Sequence, residues 1–331
     1  MRVISFIGTL LIATIAAAGA YGYHWAGTPV GIAEAGVEVD IAAGSSVRAV
    51  GKQLRAKGIA MNEDMFVLLT RLHSPEAKLK AGVYEFRAED SPNTIIEKML
   101  RGESMQAEIR FVEGWTFRQY RKIIDEHADV RHDTKGLSDA ELLAKIGATE
   151  NHPEGLFFPD TYRFSKGTSD LKLLRRAHKV MQTHLQEAWG NRAPNVPLKS
   201  TYEVLVMASI IEKETGRSED RGLVSAVFNN RMRIGMRLQA DPTVIYGIGP
   251  KFDGNIRRRD LQHDTPYNTY TRVGLPPTPI AMPSLASIRA AVQPAQSDVL
   301  YFVANRDGSS QFSKTLDEHN QAVARFLRQG G

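Results

Sequence analysis

Met207-Ala208-Ser209-Ile210-Ile211-Glu212-Lys213-Glu214-Thr215 is an apolar run that ends in two carboxylates. Its spacing predicts a helix. Ser200 with Glu203 makes an S-x-x-E capping box at the start, and Thr215-Gly216 marks the stop. Glu214 lies on the line of Met207, Ile210 and Ile211, whereas Glu212 lies on that of Leu205, Ala208 and Ser209. Both lines are apolar, so the helix is expected to be buried on most sides. Two residues apart is about 200° around a helix, so the two acids face different surroundings and do different jobs.

Working outward, Ser218 is expected to cap a second helix through Leu223, Val227 and Met232, stopping at Gly235. Gln239 to Pro283 is rich in Gly, Pro, Tyr, Asn and Thr and reads as a long structured loop, of the kind that carries function. Val299 to Val303 and the region near Gln311 predict a hairpin across Asn305 to Ser309. A closing helix carries Ala322, Val323, Phe326 and Leu327. Upstream, Leu171 to Trp189 has helical periodicity and reads as core. Gly155 to Asp160 is too turn-rich for regular helix. Glu108 to Val112 reads as a strand, Thr116 caps a helix bearing Phe117, Tyr120, Ile123 and Ile124, and Leu137 to Ile146 is a short helix.

Nearer the N-terminus the order is strand (Val37 to Ile41), helix (Val47 to Leu54), helix (Met65 to Leu72), strand (Val83 to Phe86). A third helix opens at Ser91-Pro92 and ends at Gly102. The fold class expected is α+β: an N-terminal transmembrane helix in residues 1–25, a small β-α-α-β module in 30–106 and a larger mixed domain in 107–331. Gly27 to Gly36 would be a short linker. Val3 to Tyr23 has no charged residue, a length that suits a membrane span. Arg2 precedes it and Tyr21, Tyr23 and Trp25 sit at its end, which places Met1 in the cytoplasm and the bulk of the chain outside it. A cleaved signal peptide, cut near Ala18-Gly19-Ala20, is the alternative, and it exports the chain equally.

The 331 residues include no Cys, which excludes disulfide frameworks, thiolate zinc sites, iron–sulfur clusters and cysteine nucleophiles. A net charge of +5 is mild. There is no P-loop, and Gly247-Ile248-Gly249 lacks the third glycine of a dinucleotide fingerprint. No H-E-x-x-H is present, and Ser209 stands in a helix instead of in a G-x-S-x-G elbow. No metal and no organic cofactor are expected. Basic and aromatic residues interleave from Arg257 to Tyr270, but an exported protein has little access to nucleic acid, so none is expected as a partner.

What remains is acid–base chemistry. A carboxylate on a buried helix is desolvated and its pKa rises. An acid still protonated near neutral pH is what cleavage of a glycosidic bond needs. The bland reading pairs both acids with Lys213, Arg217, Arg221 or Arg231. Asp241, Thr243, Tyr246, Asn268, Thr269 and Tyr270 supply the carboxylate, amide, hydroxyl and aromatic groups that bind sugars; turn-rich loops hold such residues in any case.

These blocks resemble the YceG-like endolytic murein transglycosylases. The resemblance rests on Ala208 to Thr215, Arg231 to Gln239, Asp241 to Gly247, Tyr267 to Tyr270 with Gly274 to Pro277, Glu113-Gly114-Trp115 and Gly155 to Thr161. It covers essentially the whole chain and is weakest from Ala128 to His152. It implies an inner-membrane protein, single-pass, with its catalytic part in the periplasm and a LysM-like small module. The implied activity is cleavage of MurNAc–GlcNAc β-1,4 bonds in nascent peptidoglycan to give 1,6-anhydro-MurNAc ends, terminating strand elongation. Glu214 would be the catalytic acid, with Glu212 as the fallback. Gln239, Asp241, Thr243, Tyr246, Asn268 and Tyr270 would line the glycan groove or orient the acid. Partners would be peptidoglycan glycan strands and a penicillin-binding synthase. The competing expectations are a lysozyme-like hydrolase using Glu214 and Asp241, and a non-catalytic peptidoglycan-binding scaffold.

Overall fold

The computed structural model describes every residue except 1, 33–35, 74, 75, 77, 306, 307 and 329–331, with side chains except at 2–5, 326 and 328. The protein is mixed α+β with one apolar N-terminal helix. It divides into two units: residues 1–108 with 128–131 and 163–168, and the remainder.

The first unit begins with α1 (Arg2–Gly27). Its Phe6–Gly27 stretch reaches a mean hydropathy of 1.5, is exposed over most of its length, and is long and apolar enough to cross a membrane. Met1, whose side of the membrane the charge pattern addresses, lies outside the described residues, as do residues 33–35 of the expected linker. Next come β1 (Val37–Ile41), α2 (Val47–Ala56), α3 (Glu63–His73), β2 (Gly82–Phe86) and α4 (Pro92–Arg101). β1 and β2 pair antiparallel, Val37 opposite Phe86 and Ile41 opposite Gly82. The two helices cover one face of this ribbon because Val39, Ile41, Val50, Leu54, Phe66, Tyr84 and Phe86 all point inward and are buried. Ser46 caps α2, accepting the Ala49 N–H at 3.2 Å. Ser91 caps α4 with Pro92 at its first position, and Gly102 closes it at φ 78°.

The chain continues through β3 (Gln106–Arg110), α5 (Phe117–Asp125), β4 (Val130–Arg131), α6 (Asp139–Ile146), β5 (Thr161–Ser165), β6 (Thr168–Ser169) and α7 (Asp170–Gly190). β3 pairs with β5, and β4 with β6. The second unit then adds α8 (Thr201–Glu214), α9 (Arg221–Arg233), α10 (Asp241–Ile248), α11 (Arg258–Gln262), α12 (Leu285–Val292), the hairpin β7 (Tyr301–Ala304) and β8 (Ser310–Ser313), and α13 (Leu316–Arg328). The hairpin tip at 306–307 and the Phe326 side chain lie outside the described residues.

α8 is the axis of this unit. Val204 through Ile211 are all buried, against α7, α10 and α12 among others. Six of these side chains are large and apolar, each stabilising the unit by about 1.5–3 kcal/mol. Its cap differs from the expected box: Ser200 accepts the Glu203 N–H at 3.1 Å, but the Glu203 carboxylate returns to the Lys199 N–H at 2.7 Å. Ser218 does not cap α9; it sits in a 3-10 turn, and Asp220 precedes the helix. The segment from Gln239 to Pro283 contains α10 and α11 and is not all loop. α12 carries no expectation from sequence, because Leu285-Ala286-Ser287-Ile288 has only one strongly apolar line, and yet it packs along α8.

Candidate active site

The end of α8 presents its two acids to different environments. Glu212 Oε2 accepts both the Ser284 N–H at 3.0 Å and the Ser284 hydroxyl at 2.6 Å. Ser284 is the N-cap of α12, so Glu212 fastens one buried helix to another. One helical turn back, the Ser209 hydroxyl accepts the Ile280 N–H at 3.0 Å and ties the same face to the incoming chain. Glu113 lies close enough to Glu212 for repulsion between them to add to the burial that raises the Glu113 carboxyl.

Glu214 has no comparable strut. It is mostly packed in protein with an accessible edge. Burial pushes its carboxyl up to about 7, and the negative charge of Asp241 pushes in the same direction. The Arg231 guanidinium opposes both and is outweighed. Arg231 is itself fixed: Nε donates to the Leu300 carbonyl at 2.7 Å, Nη1 to the Leu238 carbonyl at 2.6 Å, and the group lies 5.3 Å from the Tyr301 ring centre. The salt-bridge reading of Glu214 would lower its pKa; burial and the charge of Asp241 raise it instead.

Asp241 opens α10, and the Tyr270 hydroxyl donates to its Oδ1 at 2.6 Å. The turn before it is unusual. Gln239 is exposed and adopts φ 51°, the left-handed region a non-glycine residue seldom takes. Its N–H donates to the Thr269 carbonyl at 3.1 Å, and the Ala240 N–H to the Thr269 hydroxyl at 3.0 Å. Thr243 and Asn268 are turned inward. The Thr243 hydroxyl donates to the Ala240 carbonyl at 2.7 Å, and it is fully buried. Asn268 Nδ2 faces the carbonyls of Asp260, Leu261 and His263, and its Oδ1 accepts the Tyr270 N–H at 2.8 Å. Of the six residues expected to line a groove or orient the acid, Gln239, Asp241, Tyr246 and Tyr270 reach the surface, while Thr243 and Asn268 brace the turn that aims Asp241.

Tyr246 points elsewhere, to a residue that sequence reasoning missed. Its hydroxyl donates to Glu154 Oε2 at 3.1 Å, while Glu154 Oε1 accepts the Phe117 N–H at 2.9 Å. Glu154 is 3% exposed, and burial pushes its carboxyl up to about 7 against those hydrogen bonds. With Tyr246, Tyr267, Arg118, Lys213 and Pro242 it borders a cavity of about 710 Å³. Lys213 and Pro242 are the chain neighbours of Glu214 and Asp241. The only signal in the sequence is Gly155 beside it: at φ 81°, with Pro279 carbons 2.5 and 2.6 Å from where a Cβ would be, this position requires glycine.

Chemically, the arrangement offers a carboxyl raised toward neutrality beside the Asp241 carboxylate, and another raised carboxyl, Glu154, in a cavity edged by Tyr246 and Tyr267. No group of three or more His, Asp or Glu able to hold a metal ion occurs among the described residues.

Comparison with known proteins points the same way. The model of the YceG-like family matches residues 39–325. A protein of Bacillus subtilis (strain 168) named endolytic murein transglycosylase is 30% identical over 313 residues, spanning 88% of this chain and 85% of that protein. A protein of the same name from Streptococcus pneumoniae serotype 2 is 28% identical over 98% of this chain, which spans 65% of that protein's length. The crystal structure of a yceG-like protein from Listeria monocytogenes superposes with a TM-score of 0.53 at 31% identity, over 88% of this chain and all of that one. The matched segment begins after α1, inside β1, and takes in every acid discussed above, and the chain belongs to the YceG-like family.

Proposed function

We propose that this chain is an endolytic murein transglycosylase in which Glu214 is both acid and base. The observation that carries the reading is the placement of the Glu214 carboxyl at the end of α8, enclosed by protein and close to Asp241, both of which push it up. The protonated form donates its proton to the glycosidic oxygen between MurNAc and GlcNAc. The C1–O bond breaks, GlcNAc leaves as an alcohol, and an oxocarbenium-like centre remains at C1 of MurNAc. Glu214, now ionised, removes the proton from the C6 hydroxyl, whose oxygen bonds to C1. The proton is returned, no water is consumed, and the product ends in 1,6-anhydro-MurNAc. One carboxyl suffices because the nucleophile belongs to the same sugar and is held close. Asp241, kept in place by Tyr270, stabilises the cationic centre electrostatically.

On this reading α1 anchors the chain in the inner membrane with the second unit in the periplasm. The first unit is a LysM-like module that holds glycan, Glu154 and Tyr246 edge the glycan groove, and a penicillin-binding synthase supplies nascent strands whose elongation the cut ends. The exposed Asp241 carboxylate also favours a second reading, in which it activates water and the enzyme is a hydrolase.

Digestion of purified peptidoglycan, followed by mass spectrometry of the released fragments, separates these readings. Fragments one water lighter than hydrolytic products are expected, absent with Glu214→Gln. Reducing MurNAc ends would establish the hydrolase. Binding to sacculi with no release, from nascent uncrosslinked strands as well, would leave a scaffold.

A further inference from the structure

The first unit carries an apolar surface that its core does not use. Leu68 and Leu72 on α3 are 60% and 74% exposed. They face the last turns of α1, and with Ala18, Gly19, Gly22 and Tyr23 they border a groove of about 560 Å³. The groove is held open by real packing. Trp25 packs against the module core, Ala26 is buried, and the Val30 N–H donates to the Asp90 carbonyl at 3.0 Å. The end of α1 is therefore packed against the module.

Its position along α1 identifies what covers it. The apolar stretch Phe6–Gly27 has 22 residues, about 33 Å of helix at 1.5 Å per residue, against a hydrocarbon core of about 30 Å. Ala18 stands nine residues before the end of that stretch, about 14 Å of helix. Any placement that immerses the stretch carries the groove, and with it Leu68 and Leu72, below the level of the headgroups. Arg71, exposed beside Leu72, has a stem long enough to return its charge to the interface. Ser91 and Asn93 form the polar end of the groove.

We infer that the Leu68/Leu72 face of α3 is a lipid-contact surface, seated in the leaflet from which α1 emerges and fixing the height of the module above the membrane. The inference rests on α1 being a retained span, and it is independent of the catalytic reading.

The absence of native cysteine makes the test direct. Single variants Leu68→Cys and Leu72→Cys, with Ile15→Cys as the reference inside the span and Gln186→Cys as the reference in water, would be labelled with an environment-sensitive fluorophore. The full chain would be reconstituted into phosphatidylcholine–phosphatidylglycerol vesicles with and without nitroxide-bearing acyl chains. Labels at positions 68 and 72 should shift to the blue on reconstitution and lose intensity to the nitroxide lipid, as Ile15→Cys does. Labels as wet and unquenched as at Gln186→Cys would overturn the inference. Disulfide-linked dimers through Leu72→Cys without lipid quenching would overturn it in favour of a second copy of the chain. Failure of Ile15→Cys itself to quench would remove the span and the inference with it.

Discussion

The two glutamates at the end of α8 are chemically identical and two residues apart, yet the fold treats them oppositely. Glu212 is held by the N–H and hydroxyl of Ser284 and serves as a fastener between α8 and α12. Glu214 is enclosed beside another negative charge, with a fixed arginine too weak to compensate, and is left near the midpoint of its titration at neutral pH. On the proposed reading, the reactivity of Glu214 comes from withheld hydrogen bonds: a buried carboxyl with no donors to its ionised form keeps its proton to higher pH.

Breaking the reactive member should produce the largest effect. Glu214→Gln keeps the volume and removes the proton, so glycan release should fall by about 10²–10⁴-fold, with the thermal unfolding midpoint unchanged or raised. Retained release would refute the role. Breaking the fastener should do the reverse. Glu212→Ala leaves the α12 cap without its partner and should cost about 1–3 kcal/mol in denaturant unfolding, with a smaller loss of activity than Glu214→Gln.

Glu154 extends the comparison to a carboxyl that has donors and is nonetheless raised, because burial exceeds them. Glu154 and Glu214 both hold protons more tightly folded than unfolded. Between about 4.5 and 7 the native state therefore binds more protons, and their contribution to stability falls as pH rises through that window. Replacing Glu154 by Gln should flatten that decline, by on the order of 1–3 kcal/mol between pH 4.5 and 7 in urea titrations. An unchanged slope would mean that Glu154 is ionised throughout.

Asp241→Asn removes the repulsion that raises Glu214, so the alkaline limb of the pH–rate profile should move to lower pH. An unmoved limb would mean that Asp241 does not face the acid. The smallest effect is expected from Tyr270→Phe, which deletes one hydroxyl from Asp241 and should cost about 0.5–1.5 kcal/mol in either stability or transition-state binding.

Much of this was legible in the sequence where local rules decide. The periodicity of Leu205 to Ile211 sends the two acids to different surroundings, and Ser91 and Thr116 begin helices where expected. What failed depends on distant partners. Ser218 looks like a cap, but Asp220 takes that position and also accepts the Ser310 N–H at 2.7 Å. For Thr243 and Asn268, the choice between lining the groove and orienting the acid is likewise invisible to local rules; both turn inward and donate to backbone carbonyls. Glu154 is invisible to spacing, since its partners lie 37 and 92 residues away. The same holds for the division of labour between Glu212 and Glu214: helical geometry separates the two acids, and only Ser284 on one side and Asp241 on the other say which is which.

The most direct test of that division is a carboxyl titration. Glutamate carboxyls carrying ¹³C would be followed by NMR from acid to neutral pH in the wild-type chain and in Glu212→Gln, Glu214→Gln and Glu154→Gln. The account predicts two carboxyls titrating near 7, one lost in Glu214→Gln, the other in Glu154→Gln, and both retained in Glu212→Gln. A near-neutral carboxyl that persists in Glu214→Gln and vanishes in Glu212→Gln would contradict it.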